Sequence, residues 1–401
     1  MLYTNNTKGG VSMWKKVLAS FLVFVVAFGI VSCGNTNEEP DNETTDFEES
    51  ASATDTDTIE TTGNEEIEKL PVKTYKLNNS TAGVKVLGER YLSSDEQLNC
   101  DWTGSGLELN VYHTGGNITF TASASADCYF RAYVDGEVWN NVGKTPYYTV
   151  YKSKTDIVLR DVPTGEHVIK LIKVTGYTLS LAQVHDVTFA GTISETAPAD
   201  KELYIEFLGD SISCGWGTIG TKDGKYTGQD GTVAYPLMVA EALNADYAVT
   251  ALSGQGLVYY GAPNHNLQTG YMYGSSRRSV EEEYAFERKS DIVVVNIGTN
   301  DYNKRDQVNA EDFGDAYLEL LKTIKEKNGE DCVIYCLYNT MNDTFHEELL
   351  AACAEFGGEA KGVYTVKMVK ATRGASGHPS LEEQEYYAEF LTELFKERLG
   401  N

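Results

Sequence analysis

Three short blocks in the last two hundred residues carry side chains from which chemistry can be built: Gly209-Asp210-Ser211, Gly298-Thr299-Asn300-Asp301 and Gly377-His378-Pro379. A hydroxyl, a primary amide and an imidazole are the parts of an acyl-transfer centre, which needs a nucleophile, a donor aimed at the developing oxyanion and a base to take the nucleophile's proton. Ser211 is the candidate nucleophile. It follows the apolar run Tyr204-Ile205-Glu206-Phe207-Leu208, which reads as a buried strand, and open α/β sheets keep their ligand crevice just past the strand C-termini. A serine there can also cap a helix, and both roles can hold together because a helix N-terminus favours negative charge. His378 is the candidate base.

Residues 200–401 alternate strand and helix patterns. Apolar runs at 203–208, 246–251, 291–297, 332–338 and 363–369 read as strands, and 234–243, 310–327 and 381–399 as helices. Short, continuously apolar strands separated by helices predict a parallel, doubly wound five-stranded sheet, an α/β fold. In the last helix Tyr387, Phe390, Leu391, Leu394 and Phe395 are expected on one apolar face. Ser380 with Glu383 forms a capping box at its start, which places His378 on the loop between the fifth strand and that helix. Residues 70–195 read differently. Segments at 107–113, 118–124, 129–134, 156–159, 167–174 and 184–189 are separated by turn signals such as Asp135-Gly136 and Pro163-Thr164-Gly165. Short strands so punctuated predict an all-β sandwich, with Ala197-Pro198-Ala199 as the boundary.

The three blocks, in this order after successive strand ends, resemble the SGNH (GDSL-like) hydrolases. That resemblance implies an oxyanion hole made by the amide of Ser211, the amide of Gly254 in Ala251-Leu252-Ser253-Gly254-Gln255-Gly256, and the side chain of Asn300; Gly256 is the second choice for the glycine. Turn chemistry alone also favours Gly and Asn at such places. The usual family pattern has an Asp three residues before the histidine, where Ala375 stands here, within Arg373-Gly374-Ala375-Ser376-Gly377-His378. A Ser211–His378 dyad is therefore expected, with the imidazole oriented by a backbone carbonyl from 373–376; Ser376 is a weaker candidate orienter. A jelly-roll-like sandwich followed by an SGNH domain, with Asp101-Trp102-Thr103-Gly104 and Gly165-Glu166-His167 in the sandwich, is similar to carbohydrate esterase family 2. The resemblance covers most of residues 80–401 and implies removal of O-acetyl groups from plant polysaccharides or oligosaccharides, often at the sugar 6-position. Trp216 and Tyr259 are candidate sugar-stacking residues, with Tyr260, Tyr271 and Tyr273 behind them.

Composition sets the surroundings. The 401 residues carry a formal charge of -26, and residues 34–68 hold thirteen acidic side chains and no Lys or Arg. That balance argues against nucleic acid or an anionic membrane surface as partner. The 34–69 stretch is too poor in large apolar groups to offset its ordering entropy and is expected to be a disordered acidic linker. Before it, Lys15-Lys16 precede an apolar run ending Ile30-Val31-Ser32-Cys33. Residues 1–33 read as a secretory signal, and the resemblance to a bacterial lipobox implies cleavage and lipidation at Cys33. The other six cysteines form no CxxC pair and are expected to be buried free thiols. No metal or other cofactor is expected, since no HExxH or paired-histidine spacing occurs. The reading is a lipid-anchored extracellular O-acetylesterase acting on acetylated glycan. Its rivals are an inactive carbohydrate-binding surface lipoprotein and a lipid or acyl-chain esterase.

Overall fold

The computed structural model describes residues 69–78, 80–88, 97–139, 146–219, 228–259, 266–273, 283–343 and 345–400. The signal segment, Cys33 and the acidic linker up to residue 68 lie outside these, as does Tyr260. Residues 65–401 form one compact unit.

The first part is all antiparallel β: β1 (Val72–Lys76), β2 (Val84–Leu87), β3 (Leu98–Cys100), β4 (Gly106–His113), β5 (Gly116–Ala124), β6 (Cys128–Val134), β7 (Glu137–Val138), β8 (Tyr148–Val150), β9 (Thr155–Val162), β10 (Gly165–Lys173) and β11 (Ala182–Ile193). One layer runs β7-β6-β10-β4 with β2 and β8 attached. The other runs β11-β5-β9 with β1 and β3 attached. β11 joins the layers. Its first nine residues serve the second layer, and Gly191–Ile193 cross to pair with Val111–His113 of β4. Gly191 permits that crossing, because a Cβ there would lie 2.1 Å from the Tyr112 carbonyl oxygen. Alternating residues such as Leu107, Leu109, Phe120, Phe130, Ile169, Leu171 and Phe189 close on one core. The period-2 pattern makes these the inward face and leaves their neighbours outside.

The second part is a five-stranded parallel sheet in the order β13-β12-β14-β15-β16, with β12 (Tyr204–Gly209), β13 (Asp246–Ala251), β14 (Ile292–Asn296), β15 (Val333–Tyr338) and β16 (Val363–Lys367). Helices α1 (Tyr235–Ala242), α2 (Leu267–Tyr273), α3 (Thr299–Asn303), α4 (Ala310–Asn328), α5 (His346–Phe356) and α6 (Leu381–Leu399) accompany it. Strands such as Ile292-Val293-Val294-Val295 are wholly buried, as a sheet covered on both faces requires. The expected doubly wound sheet behind a sandwich is the fold observed.

Two local expectations are corrected. Ser211 does not open a helix: residues 211–217 are successive turns, held by Trp216 N–H donating to the Ser211 carbonyl at 3.0 Å. Phe390 is not part of the buried face of α6. It is 40% exposed and lies parallel to Tyr386, while Tyr387, Leu391 and Phe395 are buried. A spacing of three from Tyr387 carries Phe390 to the margin of the stripe, where Tyr386 covers it instead of the sheet. The six described cysteines are all buried and unbridged.

The two parts lock together through buried polar pairs. Lys85 of β2 reaches Asp246 of β13 at 2.7 Å. Arg131 of β6 reaches the fully buried Asp230 at 2.7 Å, and the Asp230 N–H donates to the Gly215 carbonyl of the turn that begins at Ser211. Near the sheet's C-terminal edge, Trp102 and Tyr177 from sandwich loops pack on Leu252, two residues before Gly254.

Candidate active site

The strand order fixes where a site can form. β12 lies between the strand that follows it and β14, so the chain reverses its direction of travel across the sheet at the C-terminal end of β12. That reversal opens a crevice, and Ser211 stands there. Gly209 allows the sharp exit from the strand, because a Cβ would lie 2.3 Å from the Ser213 hydroxyl.

His378 comes to the same place from the loop after β16. Its Nε2 is 2.8 Å from Ser211 Oγ, and its Nδ1 is 3.2 Å from the Ser376 carbonyl oxygen. A carbonyl can only accept, so the proton sits on Nδ1, and Nε2 offers its lone pair to the Ser211 hydroxyl. Among the described residues no carboxylate lies within ion-pair distance of His378. Burial pushes its pKa below the usual histidine value, against the opposing pull of the Ser376 and Ala375 carbonyls. The imidazole is therefore neutral, and able to act as a base, at neutral pH.

Backbone geometry aims the Ser376 carbonyl. Ser376 has φ 55° and ψ 30°, the left-handed region that a non-glycine residue occupies only when its surroundings insist. Those surroundings are dense. The Ala375 N–H donates to the Gly217 carbonyl at 3.0 Å and the His378 N–H to the Ala375 carbonyl at 3.1 Å. Glu383, the capping-box residue of α6, also accepts from the N–H groups of Thr372, Arg373 and Ser380. Beside it, Gln384 donates to the Ile212 carbonyl, next to Ser211, at 3.0 Å. One helix start thus holds both the Ser211 turn and the His378 loop.

The candidate oxyanion donors come from the other two loops. The N–H groups of Ser211 and Gly254 have no protein acceptor among the described residues. Gly254 has φ 85°, with open space where a Cβ would point. Asn300, at the start of α3, donates from Nδ2 to the Gln255 carbonyl at 2.7 Å and faces Asp210 Oδ2 at 3.4 Å. It therefore ties the loop that carries Gly254 to the block that carries Ser211. Gly256 instead permits a close approach, since a Cβ there would fall 2.7 Å from the Asp301 carboxylate.

Two buried carboxylates escaped the reading of the sequence, although both lie inside the blocks. Asp301 accepts from the N–H groups of Leu257, Val258 and Tyr259 at 2.7–2.8 Å, and burial outweighs those bonds and raises its pKa. Asp210 is buried and accepts from the Ile212 N–H at 3.0 Å. Burial, with Asp301 nearby, pushes its pKa up to about 7. The signal was the acid itself, which has no surface role beside a buried strand end.

The stacking candidates divide. Trp216 is half-buried on the turn that begins at Ser211. Tyr259 is half-buried, and its backbone is pinned by Asp301. Tyr271 is not at the site: it is buried and its hydroxyl accepts from Asn328 in the core.

Known proteins share this fold. Residues 207–389 match the GDSL-like Lipase/Acylhydrolase family. The chain is 29% identical over 337 residues to the cellulase/esterase CelE of Acetivibrio thermocellus, covering 79% of this chain but only 40% of that protein. It is 23% identical to an acetylxylan esterase / glucomannan deacetylase of Cellvibrio japonicus, covering 68% of this chain and 78% of that one. Among solved structures it resembles a family two carbohydrate esterase from Clostridium thermocellum in complex with cellohexaose, with 28% identity, 79% of this chain and 99% of that chain covered, and a TM-score of 0.69. The α/β part is of the GDSL/SGNH hydrolase type, and the chain is closely similar to family two carbohydrate esterases.

Proposed function

We propose that this protein is a serine esterase that removes acetyl groups from plant polysaccharides or their oligosaccharides. The observation that carries the chemistry is the 2.8 Å contact between Ser211 Oγ and His378 Nε2, with Nδ1 already committed to a carbonyl. The similarity to carbohydrate esterases supports the substrate class. In the first step Ser211 Oγ bonds to the acetyl carbonyl carbon while His378 Nε2 takes the hydroxyl proton. The oxygen gains negative charge facing the amides of Ser211 and Gly254, with the Asn300 N–H that spans 3.4 Å to Asp210 turning to it as the third donor; these donors supply the largest share of the stabilisation. The bond from carbon to the sugar oxygen then breaks, and His378 returns the proton to that oxygen. Water repeats the sequence on the acetyl-serine, releasing acetate.

The paired hydroxyl and imidazole speak against the rival of an inactive glycan-binding lipoprotein. The decisive experiment is acetate release from a panel of acetylated xylan, glucomannan and oligosaccharides, beside 4-nitrophenyl esters of rising chain length. Acetate from at least one glycan, with activity falling steeply beyond short acyl chains, is the expected result. Activity that rises with acyl length and ignores glycans overturns the reading in favour of a lipid esterase. We further propose lipid anchoring through Cys33 at the outer side of the bacterial membrane. Cell fractionation tests it, and a Cys33→Ala variant that stays equally membrane-bound defeats it.

A further inference from the structure

The outer face of the sandwich carries a cleft of about 460 Å³ that the ester chemistry leaves unused, lined by side chains that include Asn110, Tyr112, Asp135, Glu166, Val168 and Thr192. Three adjacent strands build it. Tyr112 of β4 lies opposite Glu166 of β10 and Thr192 of β11, and Asn110 lies opposite Val168. Their chain neighbours Leu109, Val111 and Ile169 point into the core, so these side chains all point outward. Tyr112 and Val168, each 39% exposed, make an apolar shelf. Around it stand amide, hydroxyl and carboxylate groups.

One of those groups is held in advance. Asp135 has φ 53° in the turn after β6, where Oδ1 accepts from the Val168 N–H at 2.8 Å and Oδ2 from His167 Nδ1 at 2.7 Å. A carboxylate already fixed loses little freedom when it accepts a further hydroxyl. The cleft also selects by charge. Its lining includes Asp135 and Glu166 but no Lys or Arg, so an anion is disfavoured. Among the described residues no group of three or more His, Cys, Asp and Glu could hold a metal ion. An apolar shelf ringed by hydrogen-bonding groups suits a neutral ring that has one apolar face and a rim of hydroxyls. The volume lies within the range of small-ligand clefts, about 300–1,000 Å³.

We propose that this cleft is a second, non-catalytic saccharide site, holding a neutral stretch of the glycan whose acetyl groups the Ser211 centre removes. The identity of that glycan rests on the esterase reading above. Tyr112 lies six residues along β4 from Gly106, roughly 20 Å at strand rise, at the end away from Trp102. Lys85, opposite Glu108 of β4, meets Asp246 at the start of β13, so the cleft lies toward the edge of the parallel sheet opposite Ser211. A glycan chain longer than that distance is needed to span both places, and for such a chain the second contact raises effective concentration at the first without touching the chemistry.

The test uses the full-length protein, with Tyr112→Ala and Thr192→Arg as variants; both side chains face outward, so the core is left intact. Binding to deacetylated glucomannan is measured by titration calorimetry, turnover on acetylated glucomannan by acetate release, and the catalytic centre alone by 4-nitrophenyl acetate. Tyr112→Ala should weaken glucomannan binding about tenfold, the loss of one good ring contact with its hydrogen bonds, and Thr192→Arg by about the same factor, because the long side chain fills the cleft. Each should raise KM on the polymer with kcat unchanged, and leave 4-nitrophenyl acetate hydrolysis as it was. Unchanged binding and KM overturn the proposal. So does an equal fall on both substrates, which makes Tyr112 merely structural. If the wild type binds glucomannan through Tyr112 but releases no acetate from any glycan, the cleft stands and the esterase reading falls.

Discussion

Two of the histidines anchored through Nδ1, one from each part of the molecule, are held by opposite means. His167 in the sandwich has a carboxylate, Asp135 at 2.7 Å, and its Nε2 faces the Pro163 carbonyl at 3.0 Å. His378 in the α/β part has only the Ser376 carbonyl, and its Nε2 faces a serine hydroxyl. His167 thus owns the charged partner usually associated with a catalytic imidazole, yet both of its nitrogens meet groups that only accept. Neither nitrogen faces a hydroxyl that could hand it a proton. His378 lacks the charge but keeps the lone pair. What makes an imidazole a base here is what its second nitrogen faces, and the partner on the first only has to select the tautomer.

That contrast breaks most sharply at the nucleophile. Ser211→Ala should lower kcat on 4-nitrophenyl acetate by at least roughly 10³-fold, as removing the attacking group does in serine hydrolases. Asp135→Ala, which deprives His167 of its carboxylate, should change the same rate less than about twofold. A large loss from Asp135→Ala would make the sandwich histidine part of the chemistry. An active Ser211→Ala would dissolve the comparison altogether.

The oxyanion side comes next. Asn300→Ala should cost about 10²–10³ in kcat, the usual effect of removing one donor. Part of that loss is positional, because the Asn300 amide also holds the Gln255 carbonyl and with it the Gly254 loop. A fall in kcat with little change in KM marks a donor to the transition state. A rise in KM of similar size would mean that the side chain only shapes the loop.

The parts of this arrangement that could be read from sequence are local. Strands such as Ile292–Asn296 announce themselves as unbroken apolar runs, and the Ser380–Glu383 capping box sits where hydrogen bonding alone requires it. The blocks around Ser211, Asn300 and His378 are likewise short, and each follows a strand end. What escaped depends on contacts distant in sequence or on backbone shape without a residue signature. The strand Val72–Lys76 is mostly exposed and exists because β11 pairs with it more than a hundred residues later. Ser376 adopts φ 55° without being Gly or Asn, so nothing in its identity predicted the carbonyl direction that orients His378. The turn of Phe390 away from the core was hidden for the opposite reason: its residue type fitted the helix stripe, and only its angular position did not.

The smallest expected effect is the most discriminating. Ala375→Asp places a carboxylate in the loop at the position where relatives of this fold usually carry one, giving His378 what His167 already has. The tautomer is already chosen by the Ser376 carbonyl, so orientation gains nothing. The gain is electrostatic: a full charge stabilises the imidazolium formed during proton transfer better than a carbonyl dipole does. The same charge raises the histidine pKa, and the sign of that change can be followed in the pH profile. In the wild type, burial holds the His378 pKa below the usual histidine value, so the acid limb of kcat/KM should lie at lower pH than the titration of a free histidine, the rate falling as the base becomes protonated. In Ala375→Asp the acid limb should move to higher pH by roughly one unit, the effect of one nearby opposite charge. The plateau kcat should change by less than about tenfold. A shifted limb with a nearly constant plateau establishes that the carbonyl suffices. If the plateau instead rises by more than about a hundredfold, Ser376 is a poor substitute, and the difference between the two histidines costs this protein most of its rate.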